Sequence, residues 1–145
     1  MKKYKIGYTT GVYDMFHIGH LNLIKRAKQQ CDHLIVGVST DQLVLQSKNK
    51  KPVIPFEERF EIIEALKCVD EVVAQINKDK FAAWEKYKFN AMFVGDDWKG
   101  NILFQEAEVK LRNVDVDVVY FPYTKNISST KLKDVITNLE ISYEG

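Results

Sequence analysis

Two of the three histidines in this sequence, His17 and His20, fall within one ten-residue segment, residues 11–20. The segment follows an apolar run over residues 6–12 and precedes apolar residues at helical spacing, so it joins a predicted strand to a predicted helix. At i and i+3 of the opening helical turn, the imidazoles share one face, and Gly19 lets a bulky group approach the backbone. Free N–H groups and the positive end of the helix dipole favour an anion at this point. Such donors suit a triphosphate, because they can meet the negative charge that develops when the α-phosphate is attacked.

The same residues have two other interpretations. The histidines could cap the helix and pack under a loop. Asp14, His17 and His20 could also form a metal triad, since Asp and His at a spacing of three residues can chelate a divalent ion. No further His or Cys offers a closing or supporting ligand, so we predict no metal site made by the protein itself.

The elements around this segment predict its position in the fold. Apolar runs at 34–39, 71–74, 91–94 and 116–121 are typical of strands buried on both faces. Helical patterns lie between them at 18–28, 55–66, 81–87 and 103–111, and a last helix is expected from Ser128 onward. Five strands alternating with about five helices predict an α/β, doubly wound parallel sheet in a single domain, residues 1–145. Ligands of such sheets bind at the carboxyl ends of the strands.

Composition excludes several classes of function. Lys and Arg number 21 against 20 for Asp and Glu, so we expect no nucleic-acid partner and only local phosphate pockets. No secretory leader is recognisable at the amino terminus, and no apolar run approaches the ~20 residues of a membrane span. Cys31 and Cys68 suggest neither a disulfide framework nor a C-x-x-C pair. We therefore expect a cytoplasmic protein without a membrane partner.

Residues 11–20, Gly-Val-Tyr-Asp-Met-Phe-His-Ile-Gly-His, resemble the signature of the cytidylyltransferase family in the H-x-G-H nucleotidyltransferase superfamily, most closely that of glycerol-3-phosphate cytidylyltransferases. The similarity continues at residues 39–41, 58–59 and 69–73. Gly95-Asp96-Asp97-Trp98 is the most discriminating segment, because related adenylyltransferases usually carry other residues there. The resemblance implies a Rossmann-like nucleotidyltransferase fold and transfer of CMP from CTP to a small phosphorylated alcohol. It also implies pyrophosphate release, Mg²⁺ held mainly by the triphosphate, and a homodimer.

By the same resemblance, three groups of residues form the site. The catalytic group is His17, His20 and Lys48, with Lys48 in a flexible loop over residues 47–52 where Lys50 or Lys51 could replace it. The nucleotide-binding group is Gly11, Val12, Tyr13, Asp14, Gly19, Asp96, Thr124, Ile127, Ser128, Ser129 and Thr130. The substrate-binding group is Arg59, Asp97, Trp98 and Lys125. Taken alone, the lysines could form a solvated charge run, Arg59 could pair with Glu57 or Glu61 on the surface, and Trp98 could pack in the core.

The chain departs from the family pattern near its end. Tyr123 stands where the family has an arginine, Asn126 replaces a glycine, and Val12 stands in place of a threonine. Lys125 can compensate for the lost cation. The altered Tyr123 segment leaves one alternative to cytidylyl transfer, a nucleotide-binding sensor without catalytic activity. A second alternative is an adenylyltransferase that makes a cofactor, against which the Gly-Asp-Asp-Trp segment counts.

Overall fold

Strands and helices alternate along most of the chain. The structure, a computed structural model, describes residues 3–95 and 100–122. The strands are β1 (Tyr4–Gly11), β2 (Cys31–Ser39), β3 (Glu71–Gln75), β4 (Ala91–Gly95) and β5 (Asp117–Phe121). The helices are α1 (Ile18–Gln30), α2 (Asp41–Lys48), α3 (Phe56–Glu64), α4 (Lys80–Tyr87) and α5 (Ile102–Arg112). All five predicted strands are present within a residue or two of the predicted bounds, except β2, which begins three residues earlier.

The strands form one parallel sheet in the order β3-β2-β1-β4-β5. The chain starts at the central strand β1, winds outward through β2 to β3, and then crosses to β4 and β5 on the other side. The predicted doubly wound sheet is therefore confirmed. Its strand order changes direction beside β1, so a crevice is expected at the carboxyl end of this strand.

Helices cover both faces of the sheet. On one face, Ile24 of α1 and Ile63 of α3 are fully buried in a cluster with Phe93 of β4. On the other face, Phe104 and Leu111 of α5 pack with Tyr8 of β1 and Met92 of β4, and side chains of α4 adjoin them. Burial on both faces explains why the strands are continuously apolar in sequence.

Helix α2 was not predicted. The Thr40 side chain accepts from the backbone N–H of Leu43 at 3.2 Å and caps the helix, while Leu43 and Val44 are buried. Asn49 ends the helix in the left-handed conformation, at φ 57°. Lys48, which was predicted in a flexible loop, is therefore the last residue of α2. Of the three lysines considered for the catalytic role, only Lys50 and Lys51 lie after this helix.

Several predicted residues lie outside the described part of the chain. These are Asp96, Asp97, Trp98, Thr124, Lys125, Ile127, Ser128, Ser129 and Thr130, together with the helix expected from Ser128 onward. Within the described ranges, none of the helices has both the length and the apolarity needed to cross a bilayer.

Candidate active site

The two histidines cap helix α1 reciprocally. His17 is the N-cap residue, and its Nδ1 accepts from the backbone N–H of Gly19 at 3.0 Å. Nδ1 of His20 accepts from the backbone N–H of His17 at 3.2 Å. This is a capping box in which imidazoles replace the usual Ser or Thr and Glu or Gln. Because both Nδ1 atoms accept, each neutral ring carries its proton on Nε2.

The environment keeps both rings neutral. Their centroids are 3.9 Å apart in a stacked arrangement, so two positive charges would repel strongly. Burial lowers the pKa of His17. Burial is the main reason why the pKa of His20 is lowered to about 4, and the neighbouring His17 lowers it further. The Asp14 carboxylate offsets only part of this shift. At neutral pH the pair therefore consists of two neutral imidazoles.

The Nε2 atom of His17 is buried and has no hydrogen-bond partner among the described residues. A buried donor without an acceptor destabilises a fold, and native structures contain few of them. His17 lines a cleft of about 950 Å³ at the carboxyl ends of β1, β2 and β4, and His20 lines the same cleft. An oxyanion in this cleft would satisfy the orphan N–H.

The cleft concentrates positive charge. Its described lining includes one carboxylate, that of Asp14, and seven cationic side chains: Lys25, Arg26, Lys48, Lys50, Lys51, Lys78 and Lys80. The chain as a whole has a net charge of only +1. The local excess of cations, together with the α1 N-terminus, therefore favours a polyphosphate in the cleft.

The loop between β1 and α1 is tightly constrained. Tyr13 and Met15 have positive φ values of 55° and 50°, an unfavourable conformation for residues with large side chains. The Tyr13 ring packs over Gly11, where a Cβ atom would lie 2.8 Å from the ring. A side chain at residue 11 would clash with this ring, so Gly11 is needed in the turn that precedes the histidines.

Asp14 lies between the two strained residues and is 2% exposed. Its carboxylate oxygens accept from the backbone N–H groups of Val53 and Ile54 at 2.8 and 2.9 Å. The carboxylate thus ties the histidine loop to the segment that precedes α3. Within the described part of the chain, no three His, Cys, Asp or Glu side chains are grouped so that they could hold a metal ion.

Arg59 lies in a different place from the one that the resemblance implied. Its side chain is fully buried and does not line the cleft, although the resemblance implied contact with the acceptor. Nε donates to the Ile54 carbonyl at 2.8 Å, and Nη1 donates to the carbonyls of Val12 and Ser39, both at 2.7 Å. Nη2 pairs with Asp41 at 2.6 Å, and neither Glu57 nor Glu61 forms an ion pair with Arg59. Arg59 therefore holds the loops around the cleft together.

The structure brings together all the other predicted residues that lie in the described ranges. Those in the described ranges that line the cleft are Gly11, Val12, Tyr13, Asp14, His17, Gly19, His20 and Lys48. Sequence reasoning missed Lys25, Arg26, Lys78 and Lys80. Lys78 and Lys80 follow the carboxyl end of β3, where a parallel sheet places ligand contacts, so their position after a strand was an overlooked signal.

Comparison with known proteins shows which family the chain belongs to. A family model described as cytidylyltransferase-like matches residues 8–135. The chain belongs to the cytidylyltransferase-like family. A glycerol-3-phosphate cytidylyltransferase of Bacillus subtilis is 38% identical to it, and the match covers 90% of this chain and 96% of that relative. The chain is accordingly a nucleotidyltransferase.

Two further comparisons extend this relationship. An FAD synthase of Thermococcus sibiricus is 32% identical, over 95% of both chains. Among solved structures, a lipopolysaccharide core biosynthesis protein of Thermoplasma volcanium superposes with a TM-score of 0.69 at 25% identity. That superposition covers 86% of this chain and 99% of the other. The relatives therefore share the fold and carry names for different products.

The first prediction concerns Arg59. Arg59→Met should lower the free energy of unfolding by roughly 3–5 kcal/mol, because it leaves three carbonyls without their donor and removes the buried partner of the half-exposed Asp41 carboxylate. Urea unfolding followed by tryptophan fluorescence measures the loss. Exposed Glu61→Gln, on the same helix, is the control and should change stability by less than about 0.5 kcal/mol. Unchanged stability together with a raised KM for the acceptor would restore the substrate-binding role.

The second prediction concerns pH. Because the folded pKa of His20 is about 4 and its ordinary value is 6.5, the unfolded chain binds the proton more readily. The neutral His20 ring therefore makes its full contribution to the free energy of unfolding above pH 6.5, and this contribution is lost as the pH falls toward 4. Unfolding free energies measured from pH 7.5 to 4 should fall more steeply for the native protein than for His20→Gln, which cannot take up this proton. Parallel curves would show that His20 titrates normally.

The third prediction separates capping from chemistry. His17→Asn keeps a side-chain acceptor at a favoured N-cap residue, and His20→Gln keeps the acceptor of an ordinary capping box. Both variants lose an Nε2–H donor. Each should retain the native stability within about 1 kcal/mol and lose about 10²–10³-fold in kcat, a typical cost of removing one preorganised donor. Urea unfolding and steady-state pyrophosphate release measure the two effects, and near-native kcat in both variants would assign the pair to capping alone.

Proposed function

We propose that this protein transfers CMP from CTP to a small phosphorylated alcohol and releases pyrophosphate, with glycerol 3-phosphate as the first acceptor to test. The observation that carries the proposal is the orphan Nε2–H of His17 at the N-terminus of α1, in a cleft whose described lining has seven cationic side chains and one carboxylate. A neutral donor of this kind is preorganised for a phosphate oxygen and needs no change of protonation. A sensor without catalytic activity would not require a paired, neutral set of donors.

The reaction is a single in-line displacement. An oxygen of the acceptor's phosphate attacks the α-phosphorus of CTP, the bond from that phosphorus to the bridging oxygen breaks, and pyrophosphate leaves with its electron pair. The product is a CDP-alcohol, and no covalent intermediate forms on the protein. Catalysis then depends on positioning and on stabilisation of the charge on the transferred group.

Each residue near the helix start has a distinct task. His17 and His20 donate from Nε2 to the oxygens of the α-phosphate as their charge increases. Lys48, at the end of α2, supplies a compact cation to the phosphates. Asp14 keeps the histidine loop in place through its bonds to Val53 and Ile54.

Mg²⁺ fits this cleft as a companion of the triphosphate. Asp14, the single carboxylate of the described lining, already accepts two backbone N–H groups, so the metal's ligands would be phosphate oxygens and water. Bound in this way, Mg²⁺ would neutralise charge on the leaving pyrophosphate.

The relatives support the proposal and also favour one alternative. The glycerol-3-phosphate cytidylyltransferase of Bacillus subtilis is the more similar of the two curated proteins described above, at 38% identity. The FAD synthase, at 32% identity over 95% of the chain, supports a second candidate, transfer of AMP from ATP. Residues 95–98, Gly-Asp-Asp-Trp, favour CTP. The homodimer expected from the resemblance stays a prediction.

The test is pyrophosphate release by the purified protein with Mg²⁺. CTP and ATP are each supplied with glycerol 3-phosphate, phosphocholine, phosphoethanolamine, ribitol 5-phosphate or flavin mononucleotide. We expect release with CTP and one alcohol phosphate, and none above background with His17→Asn in the same time. Release with ATP and flavin mononucleotide would establish the second candidate. No release with any pair, in a protein that binds CTP, would contradict both.

A further inference from the structure

Three aromatic rings contact the imidazole of His20. The His17 ring stacks on it with the centroids 3.9 Å apart, and the Phe16 ring stacks on it at 5.4 Å with an angle of 28° between the planes. The Tyr13 ring approaches it edge-on, at 5.5 Å and 81°. Stacked and edge-to-face contacts at these distances are the arrangements that aromatic pairs prefer. The orientation of the His20 ring is therefore restricted by its neighbours.

Phe16 contacts His20 from outside the cleft. It is partly buried and packs against the core cluster that contains Ile24 and Phe93. Among the described residues, the lining of the cleft includes His20 but not Phe16. Phe16 is therefore not placed to touch a substrate in the cleft, and any effect on the reaction must pass through His20. Neither the sequence motif nor the family resemblance assigned a role to Phe16.

The local fold brings Phe16 to the first turn of α1. Phe16 directly precedes the N-cap residue His17, and an apolar side chain at that position commonly packs on the first helical turn and fixes the entry of the chain. Here the ring packs on His20, the third residue of the helix. The preceding turn includes Tyr13 and Met15, both with positive φ. Such strain persists only where the surrounding packing holds it, and it is common at functional sites.

The capping hydrogen bond by itself leaves the orientation of the His20 ring loosely defined. Nδ1 of His20 accepts from the backbone N–H of His17 at 3.2 Å, which is at the long end of the usual range. The last torsion of a histidine side chain has broad minima. A stacked ring narrows them, because rotation of the imidazole would break the contact between the ring faces. Packing of this kind keeps a catalytic group within about 0.5 Å of its productive position.

We propose that Phe16 is a positioning residue for His20, because its ring holds the imidazole in the orientation that directs the Nε2–H at the α-phosphate. Together with Tyr13 and His17, Phe16 also keeps water away from the imidazole. Burial is the main cause of the low pKa of His20, so the same contacts keep the ring neutral. This inference rests on the proposed function, since it concerns how one of the two donors of that site is held.

The first test measures turnover with CTP and glycerol 3-phosphate. Phe16→Leu keeps an apolar side chain but removes the ring, so it should lower kcat about 10- to 100-fold, because a misplacement of about 1 Å can cost about 10²-fold. The KM for CTP should stay within about twofold, since the histidines act mainly in the transition state. Phe16→Tyr, which retains the ring, should recover most of the loss. A raised KM for CTP with an unchanged kcat would contradict the positioning role.

Phe60→Leu is the matched control. Phe60 is also partly buried against the same core cluster, but its ring packs on Phe56 and it does not line the cleft. Both leucine variants should have a lowered melting temperature, and only Phe16→Leu should have a lowered kcat. A similar loss of kcat in both variants, or a lowered melting temperature with an unchanged kcat in Phe16→Leu, would show that Phe16 only packs in the core and would overturn the proposal.

A second measurement does not depend on turnover. In ¹⁵N-histidine-labelled protein, the ring signals of His20, assigned by their absence in His20→Gln, give its pKa. Of the charged neighbours, His17 lowers this pKa and Asp14 raises it, and both remain in Phe16→Leu. Because loss of the ring admits water, which favours the charged form, the pKa of His20 should rise from about 4 toward 6.5. Phe60→Leu and Phe16→Tyr should leave the pKa low, and a pKa that stays low in Phe16→Leu would overturn the proposal.

The two measurements separate this inference from the proposed function. If the pKa of His20 rises in Phe16→Leu but the native protein releases no pyrophosphate with any acceptor, the contact that holds His20 stands and the proposed function fails. If the native protein releases pyrophosphate while Phe16→Leu changes neither kcat nor the pKa of His20, the positioning role is overturned and the proposed function is unaffected.

Discussion

The arrangement of the cleft depends on the hydrogen bonds that the Arg59 guanidinium donates. It bonds to Val12 in the histidine loop, Ser39 at the end of β2, Asp41 at the start of α2 and Ile54 before α3. A planar cation with five N–H donors can serve four such acceptors at once, which an ammonium cannot do with the same geometry. Three loops that meet at the carboxyl edge of the sheet are thereby fixed relative to one another.

The capping of α1 determines which ring nitrogens of the two histidines carry a proton. Because backbone N–H groups occupy the Nδ1 atoms of both His17 and His20, the protons lie on the Nε2 atoms. Close stacking and burial keep the rings uncharged, so they can donate hydrogen bonds without adding two more cations to a cleft whose described lining already contains seven. In the proposed reaction, the lysines and Arg26 would balance the charge of the bound phosphates, while the imidazoles would orient them.

Local pattern predicted much of this structure. The strands could be recognised because helices bury them on both faces, and the histidines because their type and spacing are unusual at a helix start. Helix α2 was missed because it has eight residues and only two buried side chains, Leu43 and Val44. The contacts of Arg59 could not be predicted, because two of its acceptors, Val12 and Ser39, lie 47 and 20 residues away in the sequence. Lys80 and Thr10 are in contact although 70 residues separate them in the sequence. This contact depends on how the chain crosses between strands, which local sequence pattern does not specify.

The most direct test of this account is the tautomeric state of the histidine pair. Long-range ¹H–¹⁵N correlation spectra of ¹⁵N-histidine-labelled protein at pH 7 distinguish a protonated ring nitrogen from an unprotonated one. For both His17 and His20, we predict an unprotonated Nδ1 and a protonated Nε2, with the Nε2 signals shifting when CTP and Mg²⁺ are added. A protonated Nδ1 in either ring, or an imidazolium at this pH, would contradict the claim that helix capping directs neutral donors at the nucleotide.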